Sequence, residues 1–177
     1  MSTVALTPRL RLRRLQHDDD GFVVRLLNTP GFLAHIGDRG VRTAADARRW
    51  LDDGPLASYD IHGFGLFMVE LRHGSTPVGI CGPLRRDGLP AADLGYALLP
   101  EHCGRGYAVE AGAAVLELAG TAWRMDTLLA IVATGNPASV SVLQRLGFRA
   151  AGQVRLAPGA EPLDLFRREL GDVRRGD

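Results

Sequence analysis

The sequence predicts an α+β fold in which a mixed, mostly antiparallel sheet of six to seven strands carries about four helices. Three observations lead there. Short apolar runs divided by turn residues lie between residues 64 and 99, a long run with apolar residues at three-and-four spacing follows Gly106, and charge alternates with leucine at the amino terminus.

Val4 to Leu15 places Leu6, Leu10 and Leu12 at period two against arginines, which predicts a first strand with one buried face. Asp18, Asp19 and Asp20 supply helix-start chemistry before Phe22, Val23, Leu26 and Leu27, and Asn28, Pro30 and Gly31 predict the stop. A second helix is expected from the capping residue Thr43 through Leu51, ended by Asp52, Asp53, Gly54 and Pro55. Phe64 to Leu71, Pro77 to Gly82 and Ala92 to Leu99 read as three strands, joined by turns short enough to make them an antiparallel meander.

Beyond Pro100, Ala108, Ala111, Val115, Leu118 and Ala122 mark one face of a long amphipathic helix. Leu128 to Thr134 is a continuous apolar run of the buried-strand type, and Ser139, Val142, Leu143 and Leu146 predict a helix closed by Gly147. Two last strands, about Ala151 to Leu156 and Leu163 to Leu170, are divided by Pro158 and Gly159. Residues 1–177 contain no internal repeat and no long linker, so one domain is expected.

Composition narrows the function. There are 21 basic and 20 acidic residues, and this balance leaves no general footprint for nucleic acid. Every basic residue of those 21 is arginine, so self-modification on a lysine is excluded. The two cysteines and five histidines form no pair at metal-ligand spacing, so no metal is expected. No apolar stretch is long enough to span a bilayer and the amino terminus lacks a secretory apolar core, which predicts a cytoplasmic protein with no membrane partner.

Two segments carry chemistry. In Asp93-Leu-Gly-Tyr-Ala-Leu-Leu-Pro-Glu-His-Cys-Gly104-Arg-Gly106-Tyr-Ala, a strand passes through glycines into a helix. Such a turn aims unpaired backbone N–H groups and the positive end of a helix dipole at one point, which suits a pyrophosphate. The tight strand-to-helix turn is by itself an equally good account. Neither the dinucleotide glycine pattern nor a Gly-Lys-Ser/Thr ending is present, which argues against nucleotide triphosphate hydrolysis. The second segment, Asn136-Pro-Ala-Ser139-Val-Ser-Val-Leu-Gln-Arg-Leu-Gly147-Phe148, follows the buried strand about thirty residues later. Alone it is a helix start with a glycine stop.

Together, in this order, the two segments resemble the acyl-CoA-binding core of the GNAT superfamily of N-acyltransferases. Thr7-Pro-Arg9-Leu-Arg11-Leu-Arg13 is similar to the opening of its branch containing the ribosomal-protein N-terminal acetyltransferases. The resemblance implies a sheet splayed between the fourth and fifth strands, with acetyl-CoA as cosubstrate. Backbone of Tyr96, Ala97, Leu98 and Leu99 would bond the pantetheine arm. Amides of His102, Cys103, Gly104, Arg105, Gly106, Tyr107 and Ala108 would cradle the pyrophosphate. Asn136 would contact pantetheine or fix the neighbouring loop, and Ser139 would lie near the sulfur. Glu101 departs from the Gln or Arg common at the loop's first position and sets an anion near the diphosphate.

The implied activity is direct acetyl transfer, within a ternary complex, to a protein N-terminal amine or a small-molecule amine. An alkylamine has a pKa of about 10 and must be deprotonated. Asp93, where several relatives place a glutamate, is the expected base, with Glu70 a further candidate. The tyrosine that many relatives carry seven residues after the asparagine is Leu143 here, so Ser139 is the expected general acid. Cys103 is read as a silent loop thiol. The alternative is an acyl-CoA-binding module that has lost catalysis. Monomer and homodimer are both open.

Overall fold

The structure, a computed structural model, describes residues 2–171. Alternation alone predicts a single first strand, but the chain folds there into a hairpin, β1 (Thr3–Leu6) and β2 (Leu10–Arg14). Pro8 has no N–H for a ladder, and Thr7 closes the turn, its N–H reaching Leu10 O and its Oγ1 accepting from Leu10 N–H, both at 2.9 Å.

A 3₁₀ turn at His17–Asp19 leads into α1 (Asp20–Leu27). Pro30 starts a helix rather than breaking one. It is the first residue of α2 (Pro30–His35), a position whose N–H has no intrahelical acceptor. α3 (Ala44–Leu51) is capped as expected, Thr43 Oγ1 accepting from Asp46 N–H at 3.1 Å while Asp46 Oδ2 accepts from Thr43 N–H at 2.9 Å. The expected stop at Asp52 to Pro55 fails because the chain widens there into a π turn that accommodates the proline, then continues as α4 (Ala57–His62).

The remaining elements follow the predicted order: β3 (Phe67–Leu71), β4 (Pro77–Leu84), β5 (Asp93–Leu98), α5 (Tyr107–Thr121), β6 (Thr127–Ala133), α6 (Pro137–Arg145), β7 (Arg149–Val154) and β8 (Leu163–Glu169). They form an eight-stranded sheet in the order β1-β2-β3-β4-β5-β6-β8-β7. The amino-terminal hairpin accounts for the strand beyond the expected seven, and α2 and α4 raise the α-helices to six among the described residues. The α+β class and the mostly antiparallel sheet stand as expected.

Each face of the sheet buries a core. On one, α5 and α6 pack Ala111, Val115 and Leu143 onto Leu10, Val69, Leu94 and Leu128. On the other, α1, α2 and α3 pack Val23, Leu26, Phe32 and Leu51 onto Met68, Ile80 and Ala97. Burying a leucine or phenylalanine contributes about 1.5–3 kcal/mol, so both layers are held firmly against the central strands.

One junction is weak. β5 and β6 run parallel and share a single register pair, Asp93 with Leu129, where Leu129 N–H donates to Ala92 O at 2.9 Å. Every other neighbouring pair in the sheet is antiparallel and matched over several residues. Beyond Asp93 the two strands part, which is the splay expected between the fourth and fifth strands.

Candidate active site

The gap between β5 and β6 exposes backbone that a sheet would otherwise consume. Successive residues of a strand turn their N–H and C=O to opposite edges. Ala92 O is bonded toward β6 and Leu99 N–H toward β4, where it meets Val78 O at 2.9 Å. By that alternation the backbone groups of Tyr96 and Leu98 face the gap. Those of Ala97 and Leu99 face β4, so the pantetheine contacts expected of their backbones are not offered along this edge.

At the end of β5 the chain makes a 3₁₀ turn over Pro100–His102 and enters α5 through Gly104 and Gly106. Both glycines take positive φ, 73° and 80°, where a side chain would be strained. His102 N–H and Cys103 N–H are spent within the turn, on Leu99 O at 2.9 Å and Pro100 O at 3.2 Å. That corrects the expectation that both would meet the cofactor. The N–H groups of Gly104 to Ala108 have no backbone acceptor among the described residues outside the helix, and those at the helix start cannot have one within it. The run of free amides therefore begins at Gly104. Arg105 is exposed beside it and available as a cation.

Across the gap, α6 begins at Asn136, whose Oδ1 accepts from Ser139 N–H at 3.2 Å as a helix cap. The Tyr96 hydroxyl reaches over from β5 to this helix start, 3.0 Å from Ser139 Oγ and 3.2 Å from Ser139 O. Burial pushes the phenol up to about 12, against the smaller opposing effect of Ser139, so it stays protonated at neutral pH. Leu143 is fully buried in the core and brings no polar atom to the gap.

Residues 9–149 match the family described as "Acetyltransferase (GNAT) domain". The chain belongs to this family. It is similar to the acetyltransferase of Agrobacterium tumefaciens strain C58, whose crystal structure superposes with a TM-score of 0.79 at 27% identity over 96% of this chain and 95% of that one. It is 26% identical over 156 residues to the Bacillus subtilis protein YkkB, covering 86% of this chain and 89% of that one. The fold is shared with the ribosomal-protein-S5-alanine acetyltransferase of Vibrio fischeri, TM-score 0.74 at 18% identity over 97% of this chain and 98% of that one. As a GNAT acetyltransferase the chain is an acetyl-CoA-dependent N-acyltransferase. The residues present fit this cosubstrate, offering free amides at Gly104–Ala108 suited to its diphosphate and a free strand edge suited to its arm.

The GNAT loop's departures from the family pattern have local answers. The Glu101 carboxyl is held below the ordinary value by a hydrogen bond from the Glu101 backbone N–H and by Arg25 of α1, with which it is paired. Cys103 Sγ–H donates to Leu99 O at 3.6 Å, and burial raises the thiol, which disfavours the nucleophilic thiolate. Glu70 is no open base, because both its oxygens are taken by Arg11 and Arg13.

Asp93 lies at the closed end of the splay with 1% exposure, and Arg86 Nε donates to both its oxygens, at 3.0 and 3.1 Å. Burial raises its carboxyl, with Arg86 opposing. A carboxyl with a raised folded pKa costs stability as pH rises from its unfolded value of about 4 through the folded one. The stability of the wild type relative to Asp93→Asn should therefore fall with rising pH across that window, read from melting curves at stepped pH. A flat difference would show that the carboxyl pays no net burial cost.

Two arginines and one glutamate of the site, Arg9, Arg25 and Glu110, carried no signal for it in the sequence. The Thr7-Pro-Arg9 motif and a glutamate in the first turn of α5 were visible, but their contact spans 101 residues.

Proposed function

We propose that this enzyme transfers the acetyl group of acetyl-CoA to a primary amine, a protein N-terminal amine or a small-molecule amine, by direct attack in a ternary complex. The observation that carries this reading is the hydroxyl pair of Tyr96 and Ser139 across the gap where the pantetheine arm would lie. The amine lone pair adds to the thioester carbon and the C–S bond then breaks. The amine loses a proton and the sulfur gains one, giving an amide and free CoA. Ser139 hydrogen-bonds the departing sulfur and delivers a proton that the Tyr96 phenol replaces, after which solvent returns one proton to the phenolate.

Asp93 is the proposed base. Its raised pKa suits the role, and its place on β5 sets it on the face covered by α1, α2 and α3, where the acceptor would enter. The role requires Arg86 to release it when the acceptor amine enters. One domain carrying out this reaction in the cytoplasm completes the reading; no described helix is long and apolar enough to cross a membrane.

The test is calorimetric titration with CoA, followed by thiol release from acetyl-CoA over an amine panel. The reading expects binding and an amine-dependent thiol release that Asp93→Asn lowers by about 10²-fold or more, with CoA affinity unchanged. Binding without amine-dependent turnover would leave an inactive acyl-CoA-binding module instead.

A further inference from the structure

We infer that the amino-terminal turn is a latch that orients the phosphate-binding loop, with Arg9 as its positioning residue. The inference rests on the acetyl-CoA reading above and adds to it a part of the chain outside the cradle. Arg9 Nη1 donates to Arg105 O at 3.0 Å. In a trans peptide the carbonyl and the following N–H point in opposite directions. Fixing Arg105 O toward the β1–β2 turn therefore aims the Gly106 N–H away from the turn and outward from the loop, toward a bound diphosphate. Gly106 has φ of 80° and no side chain to hold that plane, so the restraint comes from outside the loop.

Arg9 is itself held on three sides. Its Nε donates to Glu110 Oε2 at 2.6 Å, its own backbone N–H donates to Glu110 Oε1 at 2.9 Å, and its guanidinium lies 4.7 Å from the centre of the Tyr107 ring. Thr7 Oγ1–H completes the grip, donating to Glu110 Oε1 at 2.6 Å. These contacts also settle a charge problem. A glutamate in the first turn of α5 would repel a diphosphate, and Arg9 and the other donors hold its carboxyl below the ordinary value while balancing its charge. Arg25 does the same for Glu101 on the other flank. With both carboxylates matched, Arg105 is the loop's charge without an ion-pair partner among the described residues.

The Arg9 side chain is half exposed, so its removal should leave the fold intact. Arg9→Ala, Arg9→Lys and Arg167→Ala are compared with wild type by calorimetry with CoA and by following the ¹⁵N-labelled Gly106 amide. Arg167→Ala removes a surface ion pair, with Glu169 on β8, remote from the loop. By loss of the preorganised Gly106 amide, Arg9→Ala should raise the Kd for CoA about tenfold. Its Gly106 resonance should lose the CoA-induced shift of the wild type. Lysine cannot span Glu110 and Arg105 O as a fork does, and should restore less than half of the loss in binding free energy. Arg167→Ala should match wild type. A folded Arg9→Ala with wild-type affinity overturns the latch alone, and so does full rescue by lysine. Wild-type protein that takes up no CoA overturns the cofactor reading and the latch with it.

Discussion

Replacing Ser139 by alanine should lower kcat by about 10²–10⁴-fold while leaving the Kd for CoA within about twofold of wild type. Geometry separates the two effects. The hydroxyl lies in the gap, 3.0 Å from the Tyr96 phenol, whereas the free amides proposed for the diphosphate belong to Gly104–Ala108 on another element. The Ser139 N–H that Asn136 caps is kept in the variant, so the start of α6 should survive. Tyr96→Phe should lower kcat by a smaller factor, about tenfold, since the serine can still hydrogen-bond the sulfur but is no longer backed by a donor. Added to Ser139→Ala, the second change should cost little more, because groups acting as one relay are not additive. The measurement is steady-state thiol release with the best acceptor of the amine panel. Ser139→Ala with kcat within threefold of wild type would exclude the hydroxyl from the proton path. Fully multiplicative losses in the double variant would mean that the two side chains act apart.

The sequence revealed what repeats locally and concealed what is joined at a distance. The long helix α5, the cap at Thr43 and the strand β5 leading into glycines were readable because period, capping chemistry and turn residues lie within a few positions of one another. The first helix stops at Asn28 as expected, but the short helix opening on Pro30 went unread, and Pro55 misled because a proline ends a helix only where its missing N–H matters and a π turn tolerates it. The hairpin at Thr7 was hidden because Leu6, Leu10 and Leu12 keep an even spacing across Pro8, so that alternation reads as one strand. The glycine turn between β5 and α5 was legible, yet which of its amides remain free depends on the 3₁₀ turn that consumes two of them. The bracing arginines lay beyond reach of pattern, since Arg25 meets Glu101 across 76 positions and Arg9 meets Glu110 across 101.

Arg13 and Glu70 show the same limit on the energetic side and carry the largest expected loss of stability. A charge-alternating strand implies arginines in water, but the Arg13 and Glu70 side chains are only 5% and 3% exposed. Arg13 Nε donates to Glu70 Oε1 at 2.7 Å, and its two Nη atoms donate to the Asp19 carboxylate at 2.9 and 2.7 Å. Arg11 donates twice to Glu70 Oε2, at 2.9 and 2.5 Å. Glu70→Ala removes the shared acceptor and strands Arg13 Nε where water cannot replace it. Breaking a buried pair from one side costs about 3–5 kcal/mol, which for a chain of this length lowers Tm by about 10 °C. Glu70→Gln, which keeps an acceptor of the same shape, should lose less. Removing Arg13 as well should cost less than the two single losses added, because the unpaired Nε–H disappears with it. Urea unfolding of the four proteins measures the coupling. Glu70→Ala within about 1 kcal/mol of wild type would mean that solvent enters the network freely and that β2 is held to β3 by its ladder and leucines alone.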